Sequence, residues 1–230
     1  QAFGTYLDKE VAEHILSDGF REGGEQDEVS ILFTDVKDFT SFAESSEADE
    51  VVRCLNVLFE VIVPIIAAEG GHVDKFEGDG LMAVFGAPQQ FPDHADRALC
   101  AAIEIDRRVN GAGEGGPFEV GIGINTGRVV AGSGGGAGRL NFSVIGDTVN
   151  VAARVEAETR RTGDDVLLTG ATHEALRGDY GLKRRGEREL RGLERPIELF
   201  TLPVDAADLP DPVGAMRAVY ARVLGNRGEG

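Results

Sequence analysis

The chain has 230 residues, of which 42% are hydrophobic, so it can bury a core in one large domain with short flanking segments. Its 40 acidic and 23 basic residues give a formal charge of −17, and a surface this acidic repels nucleic acids and anionic membrane faces. The isolated Cys54 and Cys100 lie in apolar helical patterns, which argues against a disulfide framework or a zinc site.

The N-terminal segment predicts a helix over 5–18, followed by a polar linker that reaches Glu28. We interpret residues 1–28 as a lead-in from an upstream regulatory domain. Because the sequence begins with Gln1 rather than Met, we expect a longer parent protein, whose upstream part could carry a membrane anchor. The apolar stretch 61–68 is far shorter than the roughly 20 residues of a spanning helix, so we expect a cytoplasmic domain without direct membrane contact.

Strands and helices then alternate along the chain. The predicted order is a buried strand at 29–36, a helix that opens with the acidic segment 44–50 and ends near 69, strands at 72–77 and 81–86, and a helix at about 93–109. Pro64 should bend the helix that ends near residue 69, because proline removes a backbone hydrogen-bond donor. The Gly78-Asp79-Gly80 sequence between the two strands is typical of a tight hairpin.

The second half continues this alternation. We predict strands at 118–127 and 128–133, a flexible glycine-rich arm at 134–140, a strand and helix within 141–163, paired strands around 180–202, and a tail over 203–230 with a short helix at 213–224. The order βαββαβ predicts an α/β fold, an α+β sandwich with a ferredoxin-like core and additional C-terminal strands.

Two aspartates follow or interrupt short apolar runs. Asp35 ends the first strand and Asp79 lies in the hairpin turn. Paired carboxylates at adjacent strand ends can hold two divalent cations against a nucleoside triphosphate. The alternative is that Asp35 caps a helix and Asp79 only forms the turn, while Asp38 is expected to start a helix rather than bind a metal.

Asn150 and Arg154 lie four residues apart on a predicted helix, so both project from one face. This spacing suits one group that fixes a sugar and one cation that stabilises a transition state. The alternative is an exposed polar face on which Arg154 pairs with Glu158.

Four motifs in order carry a family resemblance: FTDVKDFT (33–40), KFEGDGLMAVFG (75–86), GIGINTGRVVAG (121–132) and VIGDTVNVAAR (144–154). Together they resemble the class III adenylate/guanylate cyclase catalytic domain over residues 29–202. The resemblance implies the class III cyclase fold and a head-to-tail homodimer that builds its active sites at the interface.

The resemblance also implies residue roles. Asp35, Asp79 and the backbone carbonyl of Val36 match the positions that hold two Mg²⁺ or Mn²⁺ ions per site. Asn150 would orient the ribose, and Arg154 would stabilise charge on the α-phosphoryl group.

Base selection would depend on Lys75 and Ser143. The lysine position bonds adenine N1, whereas guanylate cyclases place an acidic residue there, so Lys75 favours ATP. The second position is usually aspartate, or threonine in one bacterial subgroup. Ser143 departs from both, and its shorter, rotating hydroxyl could discriminate less strictly between bases.

Arg191 falls where the family keeps a cation for the β- and γ-phosphates. Arg184, Arg185 and Arg188 lie nearby and could replace it, and Arg139 is a further candidate for phosphate or dimer contact. The resemblance therefore predicts an adenylate cyclase, a lyase that converts ATP into 3′,5′-cyclic AMP and pyrophosphate. The alternatives are a guanylate cyclase and an inactive signalling or dimerisation module; a diguanylate synthase lacks support because its GGDEF-type signature is absent.

Overall fold

The computed structural model of the chain describes residues 25–136 and 139–203, with the backbone alone for residue 25 and for 132–136 and 139–143. The predicted helices at 5–18 and 213–224, and most of the tail, lie outside the described residues.

Eight strands and five α-helices occupy the described ranges. They are β1 (Glu25–Val36), α1 (Phe39–Ser45), α2 (Ala48–Ala68), β2 (His72–Glu77), β3 (Gly80–Phe85), α3 (His94–Asp106) with a π-helical turn (Arg107–Gly111), β4 (Val120–Gly136), β5 (Arg139–Ile145), α4 (Asp147–Thr162), β6 (Val166–Thr169), α5 (Gly170–Ala175), β7 (Lys183–Arg188) and β8 (Ile197–Thr201).

The strands form one sheet in the order β2-β3-β1-β4-β6-β8-β7, and β5 pairs with β4. Strands β2, β3, β1 and β4 pair antiparallel, while β6 joins β4 in parallel. This is the predicted ferredoxin-like βαββαβ core, extended at one side by the C-terminal strands. The prediction of an α/β fold with additional C-terminal strands is confirmed.

Three local predictions were wrong. The polar linker does not reach Glu28, because residues 25–28 already belong to β1. The strands predicted at 118–127 and 128–133 are one continuous strand, β4. The glycine arm at 134–140 contributes 134–136 to β4 and 139–140 to β5, since backbone hydrogen bonds between antiparallel strands need no side chains.

Alternation along β1 divides the core between the two faces of the sheet, as expected for a strand covered on both sides. Leu32 and Val36 pack with residues of α2 and α3, whereas Ile31 and Phe33 face the other way, in a cluster that includes Ala152 of α4. The sheet therefore lies between α2 and α3 on one side and α4 on the other.

Helix α2 is long and apolar enough, by length and composition, to cross a membrane. It is longer than the apolar stretch 61–68 on which the sequence-based prediction rested. Its buried residues Ile62, Ile65 and Ile66 pack in the main core cluster, which is the behaviour of a core helix. The absence of membrane contact by this domain stays a prediction.

A buried carboxylate anchors the segment that follows α5. Asp96 of α3 is fully buried and accepts hydrogen bonds from the backbone N–H of Arg177 at 3.1 Å, the N–H of Gly178 at 2.9 Å and the hydroxyl of Tyr180 at 2.9 Å. Bonds to a charged acceptor are about twice as strong as neutral ones. This single side chain thus ties α3 to a segment more than 80 positions later in the sequence.

We expect Asp96→Ala to lower the free energy of unfolding by about 3 kcal/mol, because it leaves buried donors without an acceptor. Asp179→Ala is the matched control, since Asp179 is exposed in the same segment and, among the described residues, accepts only from the N–H of Gly181, at 3.1 Å. It should cost less than about 1 kcal/mol. Urea unfolding of both variants checks this, and equal losses would contradict it.

Candidate functional site

The register of the central strands brings Asp35 and Asp79 together. Thr34 of β1 lies opposite Leu81 of β3, so Asp35 comes next to the two-residue turn that carries Asp79. Gly80 permits this close approach, because a Cβ there would lie 2.1 Å from the Thr34 carbonyl oxygen and 3.0 Å from Asp35 Oδ1. The juxtaposition predicted from the sequence is therefore present within one chain.

The two carboxylates influence each other electrostatically. Burial raises the pKa of Asp35, and the negative charge of Asp79 raises it further, while Arg160 acts in the opposite direction. Two like charges held side by side and partly desolvated are disfavoured unless a cation neutralises them.

This donor set fits a hard divalent cation such as Mg²⁺ or Mn²⁺, which prefers oxygen ligands. The described residues hold no group of three or more acidic, histidine or cysteine side chains that could bind a metal. A site with two carboxylates suits an ion that also binds water and substrate phosphates, as Mg²⁺ usually does.

Helix α4 approaches this site because β4 carries glycine at the crossing. Gly121 pairs with Asp35, and a Cβ on Gly121 would lie 2.4 Å from Thr159 Oγ1. A Cβ on Gly123 would lie 2.2 Å from the backbone nitrogen of Glu156. Any larger residue at either position would push α4 away from the sheet.

The close approach of α4 places a cation on Asp35. Arg160 forms an ion pair with Asp35 and a second one with Glu156, the latter at 2.9 Å. Burial alone would lower the pKa of Arg160, but Glu156 and Asp35 outweigh it and raise the pKa. Burial raises the pKa of Glu156 to about 7; Arg160 opposes this increase and Asp35 adds to it.

Arg160 and Glu156 are not among the site residues predicted from the sequence. A signal was present, because the two residues stand four apart in EAETR (156–160), where an acidic and a basic side chain meet on a helix surface. The contact with Asp35, 125 positions away, had no local signature.

Asn150 and Arg154 lie at the other end of α4. Asn150 is exposed in the first turns of the helix, and Arg154 is partly buried. Arg154 Nη1 donates to the carbonyl of Gly192 at 3.4 Å, whereas Glu158 pairs with Arg161 instead. The alternative pairing of Arg154 with Glu158 is therefore absent.

The contact with Gly192 also brings the Arg191 segment beside Arg154. Arg191 is exposed and makes no hydrogen bond or ion pair with the rest of the described chain. Its neighbours are engaged elsewhere: Arg184 pairs with Glu198, and Arg185 with Asp164 at 3.0 Å. This favours Arg191 over those two as the group available to a phosphate.

Within one chain, the two predicted halves of the site are far apart. Arg160 contacts Asp35, and it follows Asn150 by ten residues and Arg154 by six. At a rise of about 1.5 Å per residue, these separations are roughly 15 Å and 9 Å along the helix axis. At about 100° per residue, Arg154 also points roughly 120° away from Arg160. Within one chain, Asp35 thus lies near the C-terminal end of α4, and Asn150 and Arg154 lie nearer its N-terminal end.

Lys75 lies on β2, beside a bulge between Val73 and Lys75. Its ammonium group is 3.8 Å from Asp74 and 3.7 Å from Glu77, and its side chain remains 44% exposed, so it can reach a ligand. Ser143 lies on β5 opposite Gly132, and its side chain is outside the described part, as is that of Arg139.

Asp38 is the N-cap of α1, as predicted, but its side chain makes no capping hydrogen bond. Its backbone is left-handed, with φ of 55°. Aspartate tolerates this conformation better than most residues other than glycine.

The chain is similar in sequence to known proteins. The family model described as the adenylate and guanylate cyclase catalytic domain matches residues 22–203. Adenylate cyclase 1 of Rhizobium meliloti (strain 1021) is 31% identical over 231 residues, which is 97% of this chain and 33% of that protein. The chain spans about a third of the length of the curated relatives it matches, from 33% to 38%.

Two solved structures are similar over most of their length. The adenylyl cyclase CyaB from P. aeruginosa is 26% identical with a TM-score of 0.70, covering 80% of this chain and 98% of that one. The guanylyl cyclase Cya2 is 34% identical with a TM-score of 0.66, covering 81% and 98%. The match across most of the chain, together with the fold, shows that the chain belongs to the adenylate and guanylate cyclase catalytic domain family.

Proposed function

We propose that the chain is the catalytic domain of an adenylate cyclase that converts ATP into 3′,5′-cyclic AMP and pyrophosphate as a homodimer. The observation that carries this proposal is the placement of Asp35 beside Asp79, far along α4 from Asn150 and Arg154. Two copies arranged head to tail would place the carboxylates of one chain opposite the asparagine and arginine of the other.

Two divalent ions, held by Asp35, Asp79 and the Val36 carbonyl, would supply electrostatic stabilisation of the attacking ribose oxygen and of the leaving pyrophosphate. The residues of the chain would do the rest. Asn150 would hydrogen-bond the ribose and hold its 3′-hydroxyl in line with the α-phosphorus. Arg154 would donate to the α-phosphoryl oxygens as charge develops, and Arg191 would bind the β- and γ-phosphates.

The choice of ATP rests on Lys75, whose ammonium group can donate to adenine N1, an acceptor that guanine lacks because its N1 carries a proton. Ser143 would accept a hydrogen bond from the adenine amino group.

A purified domain assayed with ATP or GTP, and with Mg²⁺ or Mn²⁺, should form cyclic AMP faster than cyclic GMP, as resolved by chromatography. Faster turnover of GTP would overturn this choice.

Guanylate cyclase activity is the second candidate. Ser143 departs from the family pattern for adenine, and the structure of the guanylyl cyclase Cya2 is 34% identical to this chain. A serine hydroxyl can donate as well as accept, so it can also serve the guanine carbonyl.

Replacing Lys75 by glutamate tests the base assignment. The acidic side chain would accept from guanine N1–H and leave adenine N1 without a donor, so we expect the kcat/KM for ATP to fall at least about tenfold while the GTP to ATP ratio rises. Lys183→Glu makes the same change of charge at an exposed lysine on β7 and should leave the ratio unchanged. An unchanged ratio in the Lys75 variant would remove Lys75 from the base site.

A further inference from the structure

We propose that Arg160 is a positioning residue that competes with the metal ions for Asp35 and thereby weakens the affinity of the site for divalent cations. This inference rests on the proposed function, in which Asp35 is a metal ligand. The observation that supports it is the direct ion pair between the Arg160 guanidinium and a carboxylate oxygen of Asp35.

The competition follows from the position of the guanidinium. Asp35 and Asp79 form a concentrated negative charge, and Arg160 neutralises part of it. A carboxylate oxygen that accepts from a guanidinium has one fewer lone pair for a metal, and a positive charge nearby repels a divalent ion. Metal binding at Asp35 therefore competes with the Arg160 contact.

The structure also provides a place for Arg160 when it leaves. Glu156, one turn earlier on α4, accepts from Arg160 Nη1 at 2.9 Å, so the guanidinium keeps a buried carboxylate partner. The ion pair is partly exposed, with side-chain exposures of 39% for Arg160 and 33% for Asp35. A pair in such surroundings is weak enough for a divalent ion to displace.

The arrangement is specific to one side of α4. Arg161 is the next residue, carries the same charge and pairs with Glu158 at 3.4 Å, but its side chain is 71% exposed and has no contact with Asp35. Arg161 is thus a matched control for the loss of one positive charge from the same helix turn.

The test measures Mn²⁺ binding to the whole chain by calorimetry, with and without a non-cyclisable ATP analogue, and needs no catalytic turnover. We expect Arg160→Gln to bind Mn²⁺ roughly tenfold more tightly than wild type, while Arg161→Gln stays within about twofold. Arg160→Lys keeps the charge and should retain most of the wild-type affinity, which separates competition from a change in packing.

Thermal melting in EDTA provides the second readout. Without metal, Arg160→Gln should melt at a lower temperature than wild type, because Asp35 and Glu156 lose their shared cation. Added Mn²⁺ should raise its melting temperature by more than it raises that of wild type. Unchanged or weaker Mn²⁺ binding by a folded Arg160→Gln chain would overturn the proposal.

Failure of the proposed function gives a different pattern. A chain that forms no cyclic nucleotide, yet binds Mn²⁺ through Asp35 and more tightly in Arg160→Gln, would support the competition and refute the cyclase activity. Mn²⁺ binding that Asp35→Asn leaves intact would remove Asp35 from the metal site and overturn the competition.

Discussion

Asp35→Asn is expected to lower the rate of cyclic nucleotide formation by at least about a thousandfold, because an amide replaces the anionic oxygens that hold the metals. The effect should appear in kcat/KM with either Mg²⁺ or Mn²⁺. Asparagine is nearly isosteric with aspartate, so the strand and the pairing of β1 with β3 should persist. Size-exclusion chromatography should show the same oligomeric state as the wild type.

Asp38→Asn is the matched control for this substitution. Asp38 lies three residues away, makes no capping hydrogen bond, and has a left-handed backbone that asparagine also tolerates. The control should retain most of the wild-type rate. Comparable losses in both variants, or wild-type turnover in Asp35→Asn, would contradict the metal assignment.

Arg154→Ala should lower the rate by about a hundredfold to a thousandfold, since removing one donor to a developing negative charge costs this much in other enzymes.

Mixing the Asp35→Asn and Arg154→Ala chains should restore activity. Each inactive variant damages a different half of the site, so a dimer of one Asp35→Asn chain and one Arg154→Ala chain would contain one intact site and one doubly damaged site.

If the chains exchange at random, half of the dimers are mixed, and about a quarter of the wild-type activity should return. Each variant alone, at the same total concentration, is the control. Mixing two preparations of Asp35→Asn should restore nothing. No recovery in a mixture shown to contain mixed dimers would mean that each site is built within one chain.

Much of the candidate site could be predicted because its signals are local. Asp35 follows an apolar strand, and the Gly-Asp-Gly turn predicts a hairpin, so two neighbouring strands of a βαββαβ core bring the carboxylates together. The four-residue spacing of Asn150 and Arg154 likewise follows from helix geometry alone.

The remaining features depend on contacts between distant segments. Arg160 reaches Asp35 only because Gly121 and Gly123 let α4 lie close to β4, a relation that no window of sequence displays. Asp96 resembles an ordinary carboxylate in the first turn of a helix, yet it is fully buried and holds the segment after α5. The glycine-rich stretch was predicted to be flexible because backbone pairing leaves no trace in side-chain composition.

The two-residue turn between β2 and β3 makes the proposed metal site intolerant of length changes. Gly78 takes a positive φ of 64°, and Asp79 follows it with no spare residue before β3 begins. One inserted residue would shift the hairpin by about 3.3 Å and carry the second carboxylate toward the opposite side of the sheet. Related sequences can therefore differ in the length of other surface loops, but we expect the turn between β2 and β3 to keep its two residues.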